Sequence, residues 1–280
     1  MRIALVQQHA GPDRNDNLAR ALAAMDSARD QGADLCAFAE LAIDRFFPAE
    51  RGCSWAPDVA ESIPGPTADA IATRARELGL VTVFNQYERA DDGRTFDSSP
   101  VFDADGSLLG ITRMVHITDY AWFHEKEYYA PGDTGAPVYE TAVGRIGVAI
   151  CYDRHFPEYM RALGVAGAEL VVIPQAGTLG EWPEGMYEAE VRTAAFQNGY
   201  FAALCNRVGV EGELRFAGES FVSDPEGRVL ARGPASEDAL VVCDLDPAAS
   251  ADSTARRLFW RDRRPELYAG WLDERASQGR

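Results

Sequence analysis

Short apolar strands alternate with amphipathic helices along much of the chain, and this alternation limits the fold more than any other feature. Apolar residues recur at helical spacing from Asn17 until Gly32, and the strand-like run Leu35–Phe38 follows. A second helix starts at Pro66 and is followed by the β-branched run Val81–Phe84. Such alternation is typical of α/β proteins.

Antiparallel hairpins are added in the middle and at the end of the chain. Asp103–Gly106 and Asp224–Gly227 are turns between apolar runs, while Gly144–Ile150 is a buried strand with a helix after it. This mixture is compatible with two sheets packed face to face and flanked by helices. No repeat or low-complexity tract divides the chain, which predicts a single domain over residues 1–280 with residues 250–280 as a C-terminal arm.

Charge and cysteine content exclude several classes of function. The chain has 280 residues, with 27 basic against 44 acidic residues and a net charge of −17, so its surface repels nucleic acid and anionic lipid. No window approaches the roughly 20 apolar residues of a membrane span, and no signal peptide is evident. The five cysteines include no CxxC pair, which predicts free thiols and no zinc site. We therefore expect a cytoplasmic protein.

Cys151 is the strongest candidate for a nucleophile. It ends the apolar strand Gly144–Ile150, and a helix begins near Pro157. A thiol at the carboxyl end of a strand and near a helix N-terminus is expected to have a lowered pKa and access to a ligand. The alternative is that Cys151 is a small buried hydrophobic residue.

A thiol nucleophile requires a base, and three side chains are candidates. His155 is close in sequence but falls within the turn that leads into the helix, whereas a catalytic histidine usually comes from a distant segment. Glu40 follows the strand at Phe38, and Glu125 lies in a second polar segment. A buried glutamate with a raised pKa can take the thiol proton and pass it to a leaving amine. The alternative for each glutamate is a solvated loop carboxylate.

Four segments, taken in their order and spacing, resemble the nitrilase superfamily of carbon–nitrogen hydrolases. They are Phe38-Ala-Glu40-Leu, His124-Glu125-Lys126-x-Tyr-Tyr-x-Pro-Gly-Asp133, Ile146-Gly-Val-Ala-Ile-Cys151-Tyr-Asp-Arg-x-Phe-Pro-Glu158 and Gly167-Ala-Glu-Leu-Val-Val-Ile-Pro174. The resemblance extends nearly end to end. It implies a four-layer α-β-β-α sandwich that forms a homodimer or larger assembly and uses no cofactor and no metal.

The resemblance also implies a role for each site residue. Glu40 corresponds to the general base, Cys151 to the nucleophile and Glu125 to a second carboxylate. The implied reaction is attack of Cys151 on the carbon of an amide or N-carbamoyl compound, loss of amine or ammonia, and hydrolysis of the acyl-enzyme.

One member of the expected site is missing, because Met114 occupies the position of the family's catalytic lysine. A thioether donates no hydrogen bond to an oxyanion. Lys126, the only lysine in the chain, is one candidate replacement, and Arg113 and His116 are others. The remaining alternative is a pseudoenzyme that acts as a binding or assembly module.

Several residues bear on the substrate, which we expect to be a small linear amide or ureido compound. The run Cys151-Tyr-Asp is closer to amidases and N-carbamoyl hydrolases than to true nitrilases, which remain a second alternative. Arg154 matches an arginine that receives a substrate carboxylate in N-carbamoyl-amino-acid hydrolases, or else pairs with a neighbouring acid. The segment from Glu125 also resembles N-carbamoylputrescine amidases, whose substrate is a cation. Four further residues are candidates for lining the pocket, with core packing as the alternative: Trp122, Phe123, Gln175 and Trp182.

Overall fold

Two β-sheets stack face to face and helices cover both outer faces, which confirms the expected four-layer α-β-β-α sandwich. The computed structural model describes residues 1–272, and residues 273–280 of the predicted arm lie outside the described part. The strands are β1 (Arg2–Gln7), β2 (Leu35–Phe38), β3 (Val81–Val83), β4 (Gln86–Arg89), β5 (Thr95–Phe102), β6 (Leu108–Arg113), β7 (Val138–Thr141), β8 (Gly144–Val148), β9 (Leu170–Gln175), β10 (Phe201–Asn206), β11 (Val208–Glu211), β12 (Leu214–Ala217), β13 (Phe221–Ser223), β14 (Val229–Arg232) and β15 (Ala239–Asp244). The α-helices are α1 (Arg14–Asp30), α2 (Ala56–Val59), α3 (Pro66–Leu78), α4 (Pro157–Val165), α5 (Met186–Asn198), α6 (Ala248–Ala251) and α7 (Pro265–Leu272).

Each sheet has a parallel centre and antiparallel edges. The first sheet has the order β15-β1-β2-β3-β5-β4, with β6 also paired to β5, and β1, β2 and β3 are parallel. The second has the order β14-β13-β10-β9-β8-β7, with β8, β9 and β10 parallel. Strands β11 and β12 form a separate hairpin. The predicted combination of βα units and hairpins is therefore present in both halves.

Alternation along the central strands divides the core into three layers. Ile3 and Leu5 of β1 belong to the apolar layer between the two sheets, whereas Ala4 and Val6 pack against α1 and α3. A third layer lies between the second sheet and helices α4 and α5. The sheets are therefore covered on both faces, as parallel strands require.

Local capping sets the helix ends. Helix α1 begins at Arg14, before the predicted start at Asn17, because the side chain of Asp13 accepts hydrogen bonds from the N–H groups of Asn15 and Asp16. Helix α3 ends at Gly79, whose φ of 62° is left-handed. No helix in residues 1–272 is both long and apolar enough to cross a membrane.

The carboxyl ends of the parallel strands from both sheets carry polar residues. Glu40 follows β2, Asn85 follows β3, Cys151 follows β8, Gln175 ends β9 and Arg207 follows β10. All five are buried. Ligands of α/β proteins bind at this end of parallel strands, so the topology alone identifies the candidate site.

Candidate active site

Cys151 starts a 3₁₀ turn, Cys151–His155, two residues after β8 has ended. Its φ is 43°, a left-handed conformation that non-glycine residues seldom adopt, and its side chain is buried. Strained residues of this kind are concentrated at functional sites, where the surrounding structure holds them in place.

Two fully buried carboxyl groups, those of Glu40 and Glu125, flank the Cys151 thiol. Burial and then the charges of Glu40 and Glu125 raise the pKa of the thiol well above its ordinary value, and Arg154 acts in the opposite direction. The lowered pKa expected from the sequence is therefore wrong. The helix, α4, begins only at Pro157, and burial beside two acids outweighs its effect.

Glu40 is suited to accept the thiol proton. Burial and repulsion from Glu125 raise its pKa to about 8, while the nearby thiol, Asp97 and Arg207 oppose the rise. Both carboxylate oxygens of Glu40 are buried without a hydrogen-bond partner in the described residues. Glu40 can therefore accept the thiol proton without first breaking a hydrogen bond to another described residue.

The pKa of Glu125 is raised well above its ordinary value, with burial as the first cause and the charge of Asp97 as the second. Oε2 accepts a 3.5 Å hydrogen bond from the N–H of Thr118, and Oε1 has no partner within residues 1–272. The raised pKa favours the protonated form, which can donate a hydrogen bond to a bound molecule.

Arg207, which the sequence analysis missed, supports the main chain at Glu40. Its guanidinium donates from Nη1 to the carbonyls of Glu40 at 2.9 Å and Leu41 at 2.6 Å, and from Nη2 to that of Asp44 at 3.0 Å. It also pairs with Glu211. Leu41 has a φ of 46°, so this buried arginine holds a strained turn directly after the candidate base. The signal in the sequence was an arginine directly after an apolar strand.

Arg154 is enclosed by protein groups. From Nη1 it donates to the Cys151 carbonyl at 2.8 Å and to Oε1 of Gln175 at 2.9 Å. Its Nε lies 3.3 Å from Glu190, and its Cζ lies 4.8 Å from the centre of the Tyr187 ring. The neighbouring acids Asp153 and Glu158 are thus not its ion-pair partner.

Asp153 joins the nucleophile turn to the segment that contains Met114. Its carboxylate accepts from the N–H groups of Val115 and His116, at 3.2 and 3.0 Å, and lies 2.7 Å from Nδ1 of His116. The His116 ring stacks on Phe156 with centroids 3.5 Å apart. Met114 is fully buried in the same apolar layer as Cys151.

The structure does not bring Arg113 or Lys126 to the site. Arg113 is paired with Glu88 and Asp133. Lys126 immediately follows the buried Glu125, yet its side chain is exposed and makes no hydrogen bond or ion pair in residues 1–272. Four side chains change the pKa of the Cys151 thiol through their charge: Glu40, Glu125, Arg154 and Glu181.

The proposed lining residues differ in exposure. Trp122 is 49% exposed and has a φ of 68°, while Phe123 is buried against Phe46, with ring centroids 5.3 Å apart. Gln175 is fully buried, and its Nε2 has no partner in the described residues. Trp182 packs edge-on to His155 at 4.9 Å.

Glu181 is an acidic group that the sequence analysis missed. Its carboxylate accepts hydrogen bonds from the hydroxyls of Tyr120 and Tyr187 and from the N–H of Thr178 at 3.0 Å. Its charge also raises the pKa of Cys151 and of Glu125. No local pattern marked it, since its partners come from separate segments.

The fold and site together define a carbon–nitrogen hydrolase, with a thiol set between two carboxyl groups at the edge of a four-layer sandwich. The chain belongs to the carbon-nitrogen hydrolase family, whose sequence model matches residues 2–254.

Relatives and solved structures share this assignment along almost the whole chain. N-carbamoylputrescine amidase of Solanum tuberosum is 32% identical over 286 residues, covering 95% of this chain and 93% of the relative. Omega-amidase NIT2 of Homo sapiens is 29% identical and covers 96% of both chains. A carbon-nitrogen hydrolase from Helicobacter pylori G27 superposes with a TM-score of 0.88 at 25% identity, covering 98% of this chain and 99% of that one. A double mutant of an amidase from Nesterenkonia sp. AN1, in complex with acrylamide, superposes with a TM-score of 0.82 at 29% identity, covering 97% of both.

Proposed function

We propose that this hydrolase cleaves the non-peptide C–N bond of a small linear amide or N-carbamoyl compound through an acyl-enzyme on Cys151. The observation that supports the proposal is the buried arrangement of Glu40, Glu125 and Cys151, in which both carboxyl groups influence the thiol. A buried thiol with a raised pKa is protonated in the resting enzyme. Its proton therefore has to be removed as the sulfur attacks the substrate.

The proposed first step forms the acyl-enzyme. The ionised form of Glu40, whose population grows as the pH approaches its pKa of about 8, takes the thiol proton as Cys151 attacks the carbonyl carbon, and protonated Glu125 donates a hydrogen bond to the polar substrate group. Glu40 then gives its proton to the departing nitrogen as the C–N bond breaks. Ammonia or an amine leaves, and the enzyme retains a thioester from an amide or an S-carbamoyl thiocarbamate from an N-carbamoyl amine.

Water completes the proposed reaction. Glu40 takes a proton from water as the water oxygen attacks the thioester, and the proton returns to the Cys151 sulfur when the C–S bond breaks. An amide yields a carboxylic acid. An N-carbamoyl amine yields carbamic acid, which decomposes to CO₂ and ammonia.

Ammonia release from simple amides and N-carbamoyl compounds tests this proposal. We expect turnover by the parent, none by Cys151→Ala, and unchanged turnover by Cys243→Ala, a buried cysteine on β15. Turnover that persists in Cys151→Ala would exclude an acyl-enzyme on this residue.

A folded protein with no turnover of these compounds would favour the second candidate, a binding or assembly module without catalysis. The buried Met114 supports this second candidate, because it places an apolar side chain in the same layer as Cys151, at the position expected for a lysine.

For the substrate, we further propose a tail that is cationic or neutral rather than anionic. The guanidinium of Arg154 already contacts Gln175 and Glu190, with Nη2 the nitrogen left without a partner among the described residues, whereas Glu181 adds negative charge near the thiol. A carboxylate-ended substrate would meet this acidic group. N-carbamoyl amines should therefore have a higher kcat/KM than N-carbamoyl amino acids of equal length, and the reverse order would contradict this choice.

We also propose that the chain assembles as a homodimer or larger oligomer. A groove bounded by α4, α5 and α7 has largely apolar walls, and its residues Val165 and Trp271 are 53% and 69% exposed. Light scattering of the parent and of Val165→Asp tests this, with dissociation of the variant expected and a monomeric parent contradicting it.

A further inference from the structure

Asp97 in β5 is a buried carboxyl group that the proposed mechanism does not yet use. It is fully buried, and its Oδ1 accepts a 2.6 Å hydrogen bond from Nδ2 of Asn85. Oδ1 of Asn85 in turn accepts a 2.6 Å bond from the N–H of Leu41, the residue after Glu40. Asn85 thereby fixes Asp97 relative to the candidate base.

The second oxygen of Asp97 has no partner. Oδ2 is buried without a hydrogen bond among residues 1–272, and so are both carboxylate oxygens of Glu40. The two carboxyl groups are near enough for each to change the pKa of the other. Two neighbouring carboxyl groups in an apolar interior do not both ionise, so one of them retains a proton.

The groups that face this pair are mostly acidic or neutral. The charge of Asp153 raises the pKa of Asp97, the carboxyl group of Glu125 is buried nearby, and the buried hydroxyl of Tyr129 has no partner in the described residues. Met114, whose side chain is apolar, lies next to Asp97 along the main chain of the strand pair, where its N–H donates to the Asp97 carbonyl at 2.9 Å.

A cation, Arg207, lies beside Glu40 and donates to its carbonyl. Arg207 lowers the pKa of Glu40, which favours negative charge on that residue. Burial and the charge of Glu40 raise the pKa of Asp97 well above its ordinary value, despite the opposing bond from Asn85. Arg207 Nη1 is 2.9 Å from the Glu40 carbonyl, so negative charge is favoured on Glu40 and the proton on Asp97, whose Oδ2 has no partner in residues 1–272.

We propose that Asp97 is a positioning residue that keeps its proton and donates a hydrogen bond from Oδ2 to the carboxylate of Glu40. The bond stabilises ionised Glu40 and so keeps it available as a base in a site with no ammonium group. During attack the thiol proton moves from Cys151 to Glu40, and Asp97 retains its own proton throughout. This inference rests on the role of Glu40 in the proposed function.

The rate of Cys151 alkylation by iodoacetamide as a function of pH tests the inference without a substrate. Asp97→Asn keeps a donor at this position but has no ionisable group, whereas Asp97→Leu keeps the approximate volume and removes the donor. We expect the leucine variant to shift the acidic limb upward by about one pH unit and to react about tenfold more slowly at pH 7. The asparagine variant should stay within about threefold of the parent, the ordinary range for a retained hydrogen bond.

Two variants complete the experiment. Asp103→Asn carries the same substitution in the turn after β5, where the carboxylate accepts main-chain bonds from Ala104 and Ala142, and should leave the profile unchanged. The double variant Asp97→Leu/Met114→Lys adds an ammonium group beside position 97. It should react with iodoacetamide within about threefold of the parent rate, since a positive charge also favours ionised Glu40.

Thermal unfolding of every variant separates this effect from loss of structure. An equal shift in the asparagine and leucine variants, no shift in the leucine variant, or no rescue by lysine would overturn the proposal. Absent hydrolysis with the expected alkylation pattern would refute the proposed function and leave the role of Asp97 in place.

Discussion

The guanidinium of Arg154 donates a 2.8 Å hydrogen bond to the main-chain carbonyl of Cys151, three residues earlier in the same 3₁₀ turn. Arg154 thus holds the strained main chain of Cys151 in place. Nη1 also donates to Gln175 and Nε lies 3.3 Å from Glu190, so this arginine fixes local geometry, while its buried Nη2 has no hydrogen-bond partner in residues 1–272.

Replacing Arg154 should therefore reduce stability. In Arg154→Met the carbonyl of Cys151 and the side chains of Gln175 and Glu190 lose a buried partner, and we expect a loss of about 3 kcal/mol in the free energy of unfolding. Urea denaturation measures it. Arg161→Met, on the half-exposed face of α4, is the matched control and should cost less than about 1 kcal/mol. Equal losses in both variants would contradict this role.

Glu40 should make the stability of the fold depend on pH. Its pKa is about 8 in the folded chain against 4.5 for an ordinary glutamate, so the folded state holds a proton that the unfolded state releases. Stability consequently falls as pH rises between these two values. Glu40→Gln removes the effect, and its advantage over the parent should grow by up to about 1.4 kcal/mol per pH unit in this window.

Urea titrations at several pH values between 4.5 and 8 measure the dependence on Glu40. Glu184→Gln, an exposed site, provides the baseline. A constant difference between Glu40→Gln and the parent across the window would show that Glu40 does not hold a proton in the folded state.

Glu181 should select for the charge of the substrate tail. Replacing it with glutamine removes a negative charge while keeping a side chain of the same shape beside Tyr120 and Tyr187. We expect KM for a cationic N-carbamoyl amine to rise about tenfold, the equivalent of about 1.4 kcal/mol, with little change for a neutral amide. Steady-state kinetics on both compounds decides the matter, and an equal effect on the two would point to a structural role instead.

Lys126 should be dispensable for activity. Its side chain is exposed, and a surface substitution of this kind ordinarily changes stability by no more than about 0.5 kcal/mol. Lys126→Ala is expected to stay within about twofold of the parent in kcat/KM, the rate equivalent of that energy. A tenfold loss would show that the lysine reaches the substrate during turnover.

Local sequence patterns were sufficient to predict βα units with added hairpins and to single out Glu40 and Cys151, whereas the four-layer arrangement was implied by the resemblance to the nitrilase superfamily. Glu40 and Cys151 lie two and three residues beyond the ends of apolar strands, and the topology of parallel strands brings such positions to one edge. Glu125 was found through the motif around it. These residues are predictable because their positions depend on their own strand or segment.

The supporting residues depend on partners distant in sequence, which no local pattern reveals. Arg207 contacts the main chain at Glu40 and Leu41, more than 160 residues away. Asp97 is polar within a strand whose other residues are buried, and its significance appears only when Asn85 and Glu40 are placed beside it. The raised pKa of Cys151 likewise results from burial, which sequence position alone does not measure.

The exposed Lys126 gives this enzyme an unusual chemical handle. Because the chain has a single lysine, an amine-reactive dye or cross-linker has one side-chain target, directly adjacent to Glu125. A fluorophore coupled there would report on the segment that carries Glu125 without mutagenesis and without reaching the buried thiols.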